Sequence, residues 1–251
     1  MSDTIQKKMD PVAARDLRAA QLLKMYAVYG HFYQLSWNGS DGLGCRSVLE
    51  LVAHDRLPKN RQELLLRQAD LVAVMMNPGS SHPIDRGYAP PLVTQDGQSV
   101  ADYRLTPTRP DNTQYQILRI LAARGWHHAR ILNLSDLREP KSPLFLQQVA
   151  RLEREGQVGG RHSIFCPERQ AELLPLLGQP GAAPVLVGWG RHAGLIPLAE
   201  QCLDRLRNHF LVGVPVAGES RLYAHPSPML QRMKDAWLDA VLEQLSKNKD
   251  V

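Results

Sequence analysis

The chain of 251 residues reads as an α/β protein in which helices cover both faces of a mostly parallel sheet. Three observations predict this. Unbroken apolar runs, LVAVMM at 71–76, ARILNL at 129–134 and VLVGW at 185–189, have the pattern of strands buried on both faces. Stretches of helical length separate them, and strands that alternate with helices build parallel sheets. The hydrophobic content of 43% is ample for a core.

The elements follow in order. Segment 11–28 reads as a helix: Asp10 can cap it, Pro11 suits its first position and Gly30 lies past its end. Residues 30–58 read as irregular, with NGSDGLG at 38–44 a turn-rich loop. A helix over about 59–69 leads into the first buried strand. Residues 79–110 form a long loop rich in Pro, Gly and Asp, and loops of that length are usually functional or disordered. Asp111 and Asn112 can cap a helix over 113–124 that Gly125 closes. After the second strand come helices near 143–155 and 168–177, then the third strand and a helix from about 191 to 208. FLVGV at 210–214 and RLYA at 221–224 are further strand material, and 228–246 is a closing helix. This divides the chain into an N-terminal helical or irregular extension, 1–60, packed on an α/β domain, 61–251.

Composition narrows the chemistry. Lys plus Arg outnumber Asp plus Glu by 30 to 25, a mild lean toward anionic partners, and arginine's planar fork suits phosphate. Three scattered cysteines, Cys45, Cys166 and Cys202, fit a reducing cytoplasm without disulfides and argue against an iron–sulfur cluster. No His-x-x-x-His or Cys-x-x-Cys spacing marks a metal site, so neither a metal nor another cofactor is expected. No apolar run approaches the roughly 20 residues that cross a bilayer, and MSDTIQKKMD has no secretory apolar region, so no membrane partner is expected.

The unusual residues fall where an open parallel sheet binds ligands, outside the carboxyl ends of its strands. After the first strand comes Asn77-Pro78-Gly79-Ser80-Ser81. At the end of the second stands Asn133. After the third comes Trp189-Gly190-Arg191-His192, and after the last His225-Pro226-Ser227-Pro228. Each alone reads as ordinary structure: a turn, a strand end, a packing tryptophan, a stiff loop. Together they would set two carboxamides and a histidine around one crevice. The two prolines fix φ beside His225 and stiffen the loop that aims it.

These residues resemble the motifs of the uracil-DNA glycosylase superfamily. Met75-Met76-Asn77-Pro78-Gly79 is similar to the Gly-Ile-Asn-Pro-Gly of its mismatch-specific class. Asn133 in ILNLSDL matches an asparagine at the end of the next core strand. Trp189-Gly190-Arg191-His192-Ala193 matches a Trp-Gly-x-His-Ala strand end, and His225-Pro226-Ser227-Pro228-Met229-Leu230 is similar to His-Pro-Ser-Pro-Leu-Ser. The chain also resembles an uncharacterised bacterial and phage family, DUF1643, with an Asn-Pro-Ser/Gly loop and an Asp-x-Thr helix start, here Asp111 and Thr113. The resemblance covers roughly 70–235.

The resemblance implies a three-layer α/β/α fold around a central, mostly parallel four-stranded sheet. It implies a monofunctional DNA glycosylase, a cytoplasmic monomer acting on DNA. By the same comparison His225 would donate to the departing pyrimidine, Asn77 would orient a water and Asn133 would read the base edge. Gly79 stands where the uracil-specific class has a tyrosine that excludes a 5-methyl group, which implies a pocket open to pyrimidines substituted at C5. Tyr88 and Tyr103 on the long loop would shape or stack on that pocket. Ser80, Ser81, Ser227 and Arg191, with Arg221 as a further helper, would meet DNA, while His192 reads as structural. Met229 would wedge into the gap left by the flipped base. Bacterial viruses carry bulky 5-substituted pyrimidines, so defence and repair are both implied roles. Two alternatives stay open: a module that binds modified DNA without catalysis, and an enzyme of free nucleosides or nucleotides.

Overall fold

The computed structural model describes residues 8–36, 42–93, 104–155 and 160–247. Eleven strands run through these residues: β1 (Tyr26–Leu35), β2 (Leu43–Ala53), β3 (Leu71–Met75), β4 (His82–Pro83), β5 (Leu92–Val93), β6 (Leu105–Arg109), β7 (His128–Asn133), β8 (Val185–Gly188), β9 (Leu211–Val212), β10 (Pro215–Val216) and β11 (Glu219–Tyr223). Seven α-helices accompany them: α1 (Pro11–Arg15), α2 (Ala19–Met25), α3 (Asn112–Arg124), α4 (Ser142–Glu155), α5 (Gln170–Leu177), α6 (Ile196–Arg205) and α7 (Gln231–Lys247).

Nine strands form one mixed sheet in the order β4-β6-β1-β2-β7-β3-β8-β9, with β5 also paired to β1; β10 and β11 form a separate ribbon. The strands β7, β3, β8 and β9 are mutually parallel. The strands β2, β1, β6 and β4 pair antiparallel, and β2 joins the two blocks by pairing antiparallel with β7. The expected four-stranded sheet is thus corrected to nine strands, with four consecutive parallel strands at one side. Successive residues of β3 point to opposite faces. Leu71, Ala73 and Met75 join an apolar cluster with Ile117 and Leu121 of α3 and Trp237 and Val241 of α7. Val72 and Val74 join another with Phe145 of α4, Leu176 of α5 and Leu198 of α6.

The second correction concerns 30–58, which is not irregular: β1 and β2 are long strands paired from Tyr26↔Ala53 to Leu35↔Leu43, with a shift of register between His31 and Phe32. Their alternation is obscured because His31, Arg46, Ser47 and Glu50 are buried polar residues at strand positions. The helix expected over 11–28 ends earlier for a related reason. After α1 and α2 the chain becomes extended at Tyr26, and Gly30 lies inside β1 instead of past a helix end. A Cβ on Gly30 would come within 2.8 Å of Phe32 Cε2 and 2.9 Å of Thr108 Oγ1, so this glycine allows close packing across the sheet. The turn at 61–66 is 3₁₀. Within the long loop, β6 joins the sheet beside β1. Tyr103 lies outside the described residues.

Buried polar groups in the sheet are paired with care. Glu50 accepts from Arg130 Nε and pairs with His128 Nε2, both at 2.6 Å. Arg130 also donates to the carbonyls of Leu176 and Leu64. Burial pushes the Glu50 carboxyl up, but the Arg130 and His128 charges outweigh it and hold it below the usual carboxylate range. Its contribution to stability is therefore present above the unfolded carboxylate value and lost as pH falls through the depressed folded value. Glu50→Ala, which strands Arg130, should cost about 3–5 kcal/mol in denaturant unfolding. A loss under about 1 kcal/mol, the range of exposed pairs, would show that Arg130 finds other compensation.

Candidate functional site

The parallel block levels its carboxyl ends. Met75 pairs with Asn133 on one side and with Gly188 on the other, so β7, β3 and β8 end side by side. The chain leaves β3 through Asn77-Pro78-Gly79. The loop after β11 folds back onto these ends: a Cβ on Gly188 would lie 3.2 Å from Pro226 Cδ. A polar cavity of about 280 Å³ opens there, lined by Asn77, Gly79, Ser80, Asn133, His225 and Ser227 together with Arg46, Asp111 and Gln114.

Asn133 is fully buried, and neither its Oδ1 nor its Nδ2 has a hydrogen-bond partner among the described residues. Leaving a buried polar group unpaired costs about 1–3 kcal/mol. A carboxamide in the wall of a cavity with neither its donor nor its acceptor claimed is one whose hydrogen bonds an incoming group could complete. Asn77 differs. Its Nδ2 donates to the carbonyls of Leu137 (3.3 Å) and Glu139 (2.7 Å), which fixes the amide and leaves Oδ1 to accept.

His225 is held by its own loop. The backbone N–H of Ser227 donates to His225 Nδ1 at 3.2 Å, so the neutral ring carries its proton on Nε2. Burial lowers its pKa below the ordinary imidazole value, against the pull of the Asp111 carboxylate. The ring is thus a neutral Nε2–H donor beside the cavity. Gly79 has φ +62°, a conformation that disfavours side chains, and a Cβ there would meet Asp111 Oδ2 at 3.1 Å. Asp111 Oδ1 caps α3 by accepting from the N–H groups of Thr113 (2.9 Å) and Gln114 (3.4 Å). Its other oxygen lies on the Gly79 side.

Several expected residues lie elsewhere. Tyr88 does not line the cavity: its ring stands edge-on to Phe32 at 6.4 Å and its hydroxyl donates to the Phe32 carbonyl at 3.4 Å. Ser81 is buried away from the surface, and its carbonyl accepts from Arg138 Nη2 at 2.9 Å, so its hydroxyl cannot reach a phosphate there without movement. Ser80 is exposed on the cavity wall. Arg191 is exposed and lines a neighbouring apolar hollow of about 470 Å³ with Pro228, Met233 and Trp237. Arg221 is neutralised by Glu219 and Glu200. His192 caps the turn at 193–195 by accepting from the Gly194 N–H at 3.0 Å. Met229 is 98% exposed at the tip of the His225 loop.

Of the polar cavity residues named above, Arg46 and Gln114 escaped the reading of the sequence, and Asp111 was visible only at a helix start, as a cap and in the Asp-x-Thr motif. Arg46 gave no signal, because the strand that carries it was read as loop. Among the described residues, no group of three or more His, Cys, Asp or Glu side chains could hold a metal, and no helix is long and apolar enough to cross a membrane. No family model, curated protein or solved structure matches the chain.

Proposed function

We propose that the protein is a DNA glycosylase of the uracil-DNA glycosylase type that excises a flipped, 5-substituted pyrimidine. The observation that carries this is the orphaned Asn133 carboxamide, which shares one cavity with the neutral Nε2–H donor of His225 and the oriented carbonyl of Asn77. A pyrimidine edge offers a donor and an acceptor side by side, which is what Asn133 lacks, and such a pair discriminates bases by about 1–3 kcal/mol.

In this reading the C1′–N1 bond breaks with its electron pair going to the base. His225 Nε2–H donates to an oxygen of the departing anion. Asn77 Oδ1 holds the water whose oxygen bonds to C1′, and the water's proton finally neutralises the expelled base through solvent. Base, abasic DNA and consumed water balance. Gly79 adds no side chain to the cavity wall where a tyrosine would exclude a 5-substituent, and the Asp111 carboxylate stands on the side that a Cβ would take. The four parallel strands, with an apolar cluster on each face, support the three-layer arrangement that the motif order suggests. The exposed Met229 favours DNA over a free nucleoside, since an apolar side chain on a braced loop beside the cavity is suited to fill the space of an extruded base.

The test is excision from duplexes carrying uracil, mismatched thymine or 5-substituted cytosines and uracils, with alkali cleavage revealing abasic sites. Salt-dependent DNA binding without abasic product would favour a non-catalytic reader, and activity on free nucleosides would favour the other enzyme class. Asn133→Leu removes the orphaned polar atoms, so it should leave the melting temperature unchanged or raised while excision loses its preference among bases. Retained selectivity in that variant would remove Asn133 from base recognition.

A further inference from the structure

Arg46 is 1% exposed and lines the same cavity as Asn133 and His225. Its Nε has no hydrogen-bond partner among the described residues, and its Nη1 makes one long contact, to the Pro78 carbonyl at 3.4 Å. Two other arginines buried in this protein are paired with carboxylates. Arg130 meets Glu50, and Arg169 meets Asp136, each at 2.6 Å. No such ion pair holds Arg46 among the described residues; Asp111 and Asp136 act on it only through space, and burial pulls its pKa down to about 10, so it stays charged at neutral pH. An unpaired buried cation is costly, and that cost is relieved when an anion arrives.

We infer that Arg46 is a catalytic residue that neutralises the negative charge collecting on the departing base. The inference rests on the glycosylase reading above. A cavity of about 280 Å³ holds one base, so a base seated on Asn133 faces Arg46 as well. As the C1′–N1 bond breaks, its electron pair enters the ring and spreads to the ring oxygens. The substrate base is neutral and the leaving base is anionic, so the guanidinium binds the transition state better than the ground state. A backbone phosphate is a poorer fit, because the side chain is almost wholly enclosed. The antiparallel block therefore contributes to the site directly: β2 delivers the charge, while the parallel strand ends deliver the carboxamides.

The test compares wild type, Arg46→Gln and Arg46→Lys in single-turnover excision of 5-fluorouracil, uracil, thymine and 5-hydroxymethyluracil from duplex DNA. These bases differ in N1 acidity and hence in leaving ability. Arg46→Gln should slow the poorest leaving group that wild type excises by about 10²–10³-fold, in line with loss of one preorganised oxyanion donor. It should slow the best much less, so that the rate depends more steeply on leaving-group acidity. Arg46→Lys should recover part of the rate, DNA affinity should hold in both variants, and the melting temperature of Arg46→Gln should stay or rise because an unpaired buried charge is gone. Equal losses on all bases, a lowered melting temperature with equal losses, or lost affinity at unchanged rate would overturn the assignment. Wild-type rates in Arg46→Gln would overturn it while leaving the glycosylase reading intact. No abasic product from wild type on any base would overturn both.

Discussion

Under the proposed glycosylase function, Asn77→Ala should lower the single-turnover excision rate by about 10²–10⁴-fold, the span typical of losing a group that handles a reacting proton or its water, while DNA affinity changes little. The expectation follows from how the side chain is fixed. Its two amide protons are committed to the carbonyls of Leu137 and Glu139, so the Oδ1 has one direction available. A water held there is positioned before the bond breaks, and losing such positioning alone can cost 10²-fold or about that. Asn77→Asp is the sharper arm. A carboxylate is a better base than a carboxamide. Here, however, one carboxylate oxygen would face two carbonyl oxygens with no proton between them. The substitution should therefore also slow excision and destabilise the 137–139 segment. A faster Asn77→Asp enzyme would show that the two carbonyl contacts do not set the orientation of this group, and a fully active Asn77→Ala would remove Asn77 from the mechanism.

What was legible in the sequence and what was not divides along a physical line. The strands β3, β7 and β8 are apolar on both faces, and such runs need no partner to be recognised. The helix α3 is bracketed by local chemistry, Asp111 accepting from its first N–H groups and Gly125 closing it in a left-handed turn. Because β7, β3 and β8 are parallel and end in register, Asn77, Gly79, Ser80 and Asn133 converge, whereas His225 and Ser227 reach the same cavity from β11, which lies outside the parallel sheet, on a loop that folds back over the strand ends. The strands β1 and β2 were hidden by the partners that make their polar residues tolerable. Glu50 can lie inside a strand only because His128 and Arg130, about eighty residues away, meet it. The same blindness concealed Arg46. Tyr88 and Ser81 were misplaced for another reason: the direction of a loop side chain depends on what captures it, and here Phe32 takes the tyrosine while Arg138 holds the serine's backbone.

His225→Ala should reduce excision by about 10²–10³-fold, the usual loss on removing one donor aimed at a developing oxyanion. The pH dependence separates this role from that of an imidazolium. The Ser227 N–H occupies Nδ1, so the reactive form is neutral with its proton on Nε2. Burial lowers the pKa from the ordinary 6.5, and the Asp111 carboxylate pulls the other way without reversing it. A depressed imidazole pKa means that the neutral donor survives acidification past the ordinary value. Excision by wild type should therefore be flat across the ordinary imidazole range and fall only at more acidic pH, through the depressed value. Asp111→Asn keeps an oxygen to cap α3 but removes the charge that favours the protonated ring. It should move this acidic limb further down, because the carboxylate charge that raises the His225 pKa is gone while the larger, lowering effect of burial stays. Single-turnover rates measured against pH for both proteins check the sign. An acidic limb at or above the ordinary imidazole value, or an upward shift in Asp111→Asn, would show that burial does not set this pKa, whereas a rate that falls as pH rises through the imidazole range would mean that the ring acts charged. In that case the charge supplied to the leaving base would come from His225⁺, and the neutral-donor reading of the loop would have to be abandoned.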